Sequence, residues 1–402
     1  MSGMLGAGEG KLRIQIQVEK GVIASVALAS TRAIRACSIL AGRRLDEAMA
    51  LLPRLFSLCG VAQAVAGLTA VEAALDLVPS PPQTAARQIL VAAEALEQTV
   101  WRLLIDGPRC VGVRPALEAL KPLRATLASL RPLLFADPGW VRIGGARLTP
   151  DRPGLAAVLD EIERGVDRAV LGRSPREDSP WQDRADFVAW VRAAVSPAAM
   201  ILRWVSGRGL ADFGRSAVAP LPEFDPVWLA RRLAHDADHS FCARPDHLGA
   251  VGETGALARC WNHPAIAPLR AEYGSGLLAR LAARVIECGA LVAELRGQAQ
   301  MVCDENPETP NVATASGSGL GVVECARGRL VHWLAVAEGR VSAYRILAPT
   351  EWNFHPEGPL ARGLVGARVG RRGGTVRQAI ELLVMALDPC VGFELAIIVD
   401  IS

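Results

Sequence analysis

Polar and apolar residues alternate from Lys11 to Val18, KLRIQIQV, and VIASVALA follows a turn at Glu19–Gly21. That two-residue period predicts a β-hairpin near the N-terminus. From Thr31 the spacing turns helical, through RAIRACSILAG and DEAMALLPRLF, with Gly42 as a stop. Cys59 precedes the apolar helical run VAQAVAGLTAVEAALDLV, which PSPPQ, beginning at Pro79, breaks. Residues 87–135 predict two long helices, with others expected around Leu155–Ala169, Ala185–Val195 and Ser275–Met301, while 206–268 has weak periodicity. DENPETPNVATASGSG reads as a turn-rich loop leading into VVECA, RLVHWLAVA and RVSAYRILA, a short β-meander. A last helix, TVRQAIELLVMAL, delivers Asp388–Cys390, and ELAIIVDI reads as a closing strand.

The pattern predicts a mostly α fold with small β elements (α+β): a central helical bundle, an N-terminal β-hairpin and a C-terminal β-meander. Residues 1–402 are expected to form one domain with sub-regions 1–78, 79–300 and 301–402.

Composition narrows the class. With 51% hydrophobic and 21% charged residues the chain can bury a large core. A net charge of +3 with dispersed arginines gives no reason to expect nucleic acid. No run of about twenty apolar residues predicts a membrane span, and MSGMLGAGEGKLRIQ lacks the layout of a secretory signal. The nine cysteines form no C-x-x-C pair and fit neither a disulfide framework nor a zinc ribbon, so reduced thiols in a cytoplasmic protein are expected. His235, His239, His247 and His263 crowd the least regular segment. His235 and His239 would share a face if that segment were helical, but no H-E-x-x-H accompanies them, and surface or structural histidines are expected.

Three stretches could carry chemistry. Cys59 and Cys390 each stand where a second cysteine three positions on would complete a metal-binding pair, yet those positions are Ala62 and Phe393. ECARGRLVHW is followed by APTEWNFHPEGPLARGLVG, and ETGALAR runs from Glu253 to Arg259. Taken singly, a cysteine is more often a small buried hydrophobe than a ligand, and the other two read as an arginine turn and an ordinary loop.

Together, in this order, they resemble the large subunit of nickel–iron hydrogenases. AGEGKL is similar to the family's R-I-E-G-H-L at Glu9, Gly10 and Leu12; SLCGVAQAVA keeps only Cys59 and Gly60 of R-x-C-G-x-C-x-x-x-H. Gly255–Arg259 resembles G-P-L-A-R. Val323–Trp333 resembles V-E-A-P-R-G-x-L-x-H-W, except at Cys325 and Ala326. Pro349, Thr350, Trp352, Asn353 and Pro356 match P-T-x-W-N-x-x-P. Asp388, Pro389 and Cys390 match D-P-C-x-x-C-x-x-H, which then fails at Phe393 and Ala396. Nothing between Pro79 and Ala250 matches.

The resemblance implies a cage of four thiolates around nickel, two of them bridging to an iron that carries two cyanides and a carbonyl. Both bridging positions are lost here: alanine offers no donor, and phenylalanine is expected to intrude on the metal volume. No nickel is expected. Ala396 also removes a histidine that binds a structural divalent ion in the family, whose carboxylate counterpart falls near Cys37. Arg327 and the Pro349–Thr350 turn correspond to the family's pocket around the diatomic ligands, where a guanidinium and a hydroxyl can donate to cyanide. Such outer donors orient a metal fragment without ligating it. Single cysteines in place of pairs make the chain more similar to hydrogenase maturation proteins of the HupK/HoxV type than to the catalytic subunit.

The resemblance thus implies a non-catalytic, cytoplasmic scaffold or chaperone that transiently holds an Fe(CN)2(CO) fragment. Cys59 and Cys390 would be its metal ligands, Arg327, Pro349 and Thr350 the residues around it, and Glu9 a possible supporting group. The surviving cysteines match terminal nickel ligands, so the fragment would sit displaced or the side chains re-aim. Its partners would be an iron-fragment donor complex and an immature hydrogenase large subunit. The alternatives are a metal-free docking chaperone and a divergent enzyme using Glu9 as a proton carrier. His332 and Trp333 are expected to pack within the meander.

Overall fold

A computed structural model describes residues 10–172, 181, 183–369 and 373–399; Glu9 lies outside the described residues. Strands β1 (Lys11–Glu19) and β2 (Val22–Ser30) form the expected hairpin. Leu12, Ile14, Ile16 and Val18 are buried on β1 while the residues between them are exposed, the signature of a strand with one face on the core. Lys20 and Gly21 both take positive φ, 49° and 76°, which suits a tight turn between right-twisted strands. The closing strand, β6 (Gly392–Val399), pairs parallel with β1 in the order β2-β1-β6, so the first and last sub-regions share one sheet.

Past the hairpin, the helix expected from Thr31 is a 3-10 turn, Ile34–Leu40. Ala33 offers no capping side chain and the run ends at Gly42, so the segment is too short to offset helix nucleation. Three helices follow: α1 (Leu45–Leu55), α2 (Gly60–Ala74) and α3 (Pro81–Trp101). Ser80 caps α3 by accepting from the Gln83 amide at 3.3 Å, with Pro81 in the first turn, so the helix starts earlier than expected. It runs on through a π-helical turn, Arg102–Asp106, to Cys110.

The second helix expected in 87–135 is broken into Leu117–Ala128 and Leu130–Leu134. Pro132 has no N–H to donate to the Ala128 carbonyl, which ends the ladder there. The weakly periodic stretch holds short helices, among them Pro226–Ala234 and Ile266–Tyr273. Leu277–Ala299 is long, buried over most of its length and packed along α3 at the centre of the bundle. No single helix among the described residues is long and apolar enough to cross a membrane.

The meander is β3 (Gly317–Cys325), β4 (Gly328–Ala337) and β5 (Arg340–Leu347), all antiparallel. β3 begins inside the stretch read as a loop. Gly317, Gly319 and Gly321 lie against the carbonyls of Ala74, Ala70 and Ala66, where a Cβ would come within 2.2, 2.1 and 2.0 Å of oxygen. Glycine is present because strand and helix backbones touch, a reason that turn-rich composition conceals. This contact seats α2, with Cys59 at its head, on the strand that ends at Cys325.

Candidate functional site

One cavity of about 320 Å3 is lined by Cys59, Cys390, Arg327 and Pro349, four residues from three distant parts of the chain. Cys325, which sequence reasoning recorded only as a departure from the family pattern, lines it too, as do Arg32 and Gln63. Cys59 and Cys325 are buried and Cys390 is partly exposed. Thr350 is not in the lining. Its Oγ1 accepts from the Cys390 amide at 3.1 Å, so it fixes the cysteine's backbone. Phe393 does not intrude: β6 begins at Gly392, so Phe393 already belongs to an edge strand and is 37% exposed. Ala396 is exposed on the same strand, and Cys37 is buried with its thiol towards the Ile34 and Tyr344 carbonyls.

Cys59 is the N-cap residue of α2, a position where free amides would favour a thiolate. Those donors are taken. Glu94 of α3 accepts from the Val61 amide at 2.9 Å and the Ala62 amide at 3.1 Å. Burial pushes the Cys59 thiol up to about 12, against the pull of Arg327. Burial likewise raises Cys325 to about 11, again opposed by Arg327. Both are thiols at neutral pH, and ligating a metal would require displacing the proton. Burial also lifts Glu94 to about 7, with its amide partners and Arg327 pulling the other way.

Residues Glu94, Gln98 and Arg102, one helical turn apart each, hold the site from one side. Gln98 donates to the Leu58 carbonyl and accepts from Arg327 Nη1 at 2.6 Å. Arg102 Nε donates to Asp388 at 2.9 Å, two residues before Cys390. This segment matched nothing in the sequence. Its signal was only a polar i, i+4, i+8 series among the other polar positions of the helix.

Asp388 is fully buried and takes a left-handed φ of 57°. Arg102 lies 2.8 Å from it, Arg284 3.3 Å and Arg327 3.7 Å. Burial would raise its pKa, but Arg102, Arg327 and Arg284 outweigh that and bring it to about 2. Counting Asp106, paired with Arg102, three guanidiniums face two carboxylates, so the cluster beside Cys390 carries spare positive charge. Arg327 Nε has no hydrogen-bond partner. On the cavity's other side Arg32 pairs with Glu351 at 2.5 Å. Burial disfavours its charge, but Cys390 and Glu351 hold it protonated above the ordinary range.

Gln63 Nε2 donates to the Cys59 sulfur at 3.5 Å, and Gln63 Oε1 faces His332 Nε2 at 2.8 Å. With Nε2 as the donor, Nδ1 accepts from the Tyr344 hydroxyl at 2.8 Å. Burial pushes His332 down to about 3, so it is neutral. It is therefore a hydrogen-bonding link to Cys59 as well as a packed side chain. Trp333 points the other way, into a smaller cluster with Phe241 and Trp352.

The stretch read as an ordinary loop locks the motifs together. Thr254 and Asn353 exchange backbone-to-side-chain hydrogen bonds at 3.0 and 2.9 Å, and Asn353 also donates to the Leu387 carbonyl at 3.1 Å. Arg259 bridges Glu287 and Glu324 and reaches the Ala326 carbonyl at 3.3 Å. The four histidines do not gather. His235 ends a helix and bonds the Arg231 carbonyl, His239 takes a left-handed turn, and His247 packs on Phe224 and Trp228. His263 Nδ1 accepts from the Ala265 amide. Among the described residues no three His, Cys, Asp or Glu side chains form a converged metal-binding set.

Residues 221–393 match the nickel-dependent hydrogenase family. Over 98% of both chains the protein is 33% identical to the hydrogenase expression/formation protein HupK of Rhizobium leguminosarum bv. viciae. The chain belongs to the nickel-dependent hydrogenase family. Within the family it is also 33% identical to the hydrogenase expression/formation protein HoxV of Cupriavidus necator, over 88% of each chain. The large-subunit-like fold is shown by the Ni-Fe-Se hydrogenase of D. vulgaris Hildenborough, with a TM-score of 0.70, 18% identity, and 93% of this chain and 94% of that one covered. The hydrogenase-family chain keeps this fold with a single cysteine at each of the two pair positions.

Proposed function

We propose that this protein is a non-catalytic scaffold in nickel–iron hydrogenase maturation, transiently holding the Fe(CN)2(CO) fragment before its transfer to the hydrogenase large subunit. The observation that carries the reading is that Cys59, Cys390 and Arg327 line one cavity while Ala62 and Phe393 bring no thiolate to it. Soft thiolates suit low-spin iron with strong-field ligands. The spare guanidinium charge near Cys390, with Arg327 on the cavity lining, favours an anionic complex with acceptor atoms. The maturation role itself is supported by relatives named as hydrogenase expression/formation proteins. The partners on this reading are an iron-fragment donor complex and an immature large subunit.

A second reading, a docking chaperone without metal, is favoured by thiols that are buried and protonated and by donors that do not converge. Infrared spectroscopy separates the two. The chain is purified without oxygen from cells expressing the maturation machinery. One carbonyl and two cyanide bands, lost in Cys59→Ser and Cys390→Ser, are expected of the carrier. A blank window with little bound iron would leave the docking chaperone.

A further inference from the structure

β3 ends at Cys325, two residues before Arg327, where the corresponding hydrogenase pattern has alanine. The side chain is 4% exposed and lines the same cavity as Cys59 and Cys390. A thiolate at Cys325 or at Cys390 would further disfavour ionisation of Cys59. Its Sγ donates to the Gly328 carbonyl at 3.2 Å, a weak bond that is readily exchanged. Beside it, Arg327 is 3% exposed and lines the cavity, its Nε making no hydrogen bond and lying 3.7 Å from Asp388.

The cargo's own coordination decides what this thiol can do. An octahedral low-spin iron(II) bearing two cyanides and one carbonyl has three positions left. Cys59 and Cys390 fill two. We infer that Cys325 is the third sulfur ligand, so that Cys59, Cys325 and Cys390 complete the coordination of the iron. The inference rests on the carrier reading above and adds a ligand to it. It also removes the difficulty that two terminal-type cysteines hold the iron poorly, because the third sulfur comes from the meander, beside Arg327, and not from either pair.

The sulfurs do not converge in the present structure, so Cys325 leaves the Gly328 carbonyl as the fragment enters. The exchange is balanced if the fragment arrives on thiolates of its donor. Each Fe–S bond to the donor breaks, one forms to a cysteine here, and the displaced proton goes to the departing sulfur. Iron stays iron(II) and no electron moves. The fragment is neutral, so the three thiolates carry the negative charge, which Arg327 and Arg32 face across the lining.

Iron K-edge X-ray absorption and infrared spectra of the anaerobically loaded chain test this. Wild type is expected to show three iron–sulfur contacts. Cys325→Ser is expected to show two, with a moved carbonyl band and faster loss of iron, while Cys303→Ser, at an exposed cysteine, matches wild type. Two sulfurs in wild type would overturn the inference without needing any variant to fold. So would a Cys325→Ser chain with unchanged sulfur count and bands, and in both cases the carrier reading survives. Wild type without diatomic bands removes the carrier reading and this ligand with it.

Discussion

Cys59 stands at the head of a helix whose first amides are held by Glu94 and whose preceding carbonyl is held by Gln98. Cys390 sits between the buried Asp388 cluster and an edge strand, with one side-chain hydrogen bond to its own amide. The first thiol is positioned by neutral and carboxylate contacts to backbone, reinforced by the glycine–alanine contact between β3 and α2. The second is positioned by charge. On the carrier reading proposed above, the holder would have one arm tied to the bundle and one arm tied to an ion cluster, and the two should fail under different conditions.

The largest effect is expected on the charged arm. Asp388→Asn leaves Arg284 and Arg327 buried without their carboxylate and should cost about 3–5 kcal/mol in urea unfolding. Because its folded pKa is depressed to about 2, the support from Asp388 is complete above the unfolded carboxyl value and lost as pH falls from about 4 towards 2. The variant should lack that acid limb.

On the helical arm, Glu94→Ala strips the acceptor from two part-buried amides and should cost about 1–3 kcal/mol. Its pH behaviour has the opposite sign. The folded pKa is raised from 4.5 to about 7, so any stability linked to Glu94 is full below the lower value and declines as pH rises through the higher one. Glu94→Gln should flatten that slope, read from unfolding midpoints between these pH values. A slope unchanged by the substitution would mean that another group titrates there.

The smallest effect sharpens the contrast directly. Thr350→Val removes the acceptor for the Cys390 amide and should cost about 1 kcal/mol. Alkylation followed by mass spectrometry should show Cys390 reacting faster in the variant with Cys59 unchanged. Equal acceleration at both sites would show that the arms are coupled.

The sequence by itself determined the hairpin, the helix headed by Cys59 and the meander, because these rest on local periodicity, whereas only the family resemblance linked Cys59 with Cys390, which line one cavity. It misread the start of β3, since three glycines that admit a helix backbone look like turn residues until the helix is in place. It left α3 silent because Glu94, Gln98 and Arg102 act only through what folds against them. It placed Phe393 in the metal volume because spacing alone does not show where a strand begins. Cys325 read as a departure from a pattern until packing set it beside two other cysteines. Local order follows from neighbours along the chain, whereas the cavity is built from residues hundreds of positions apart, and only tertiary packing decides which of them meet.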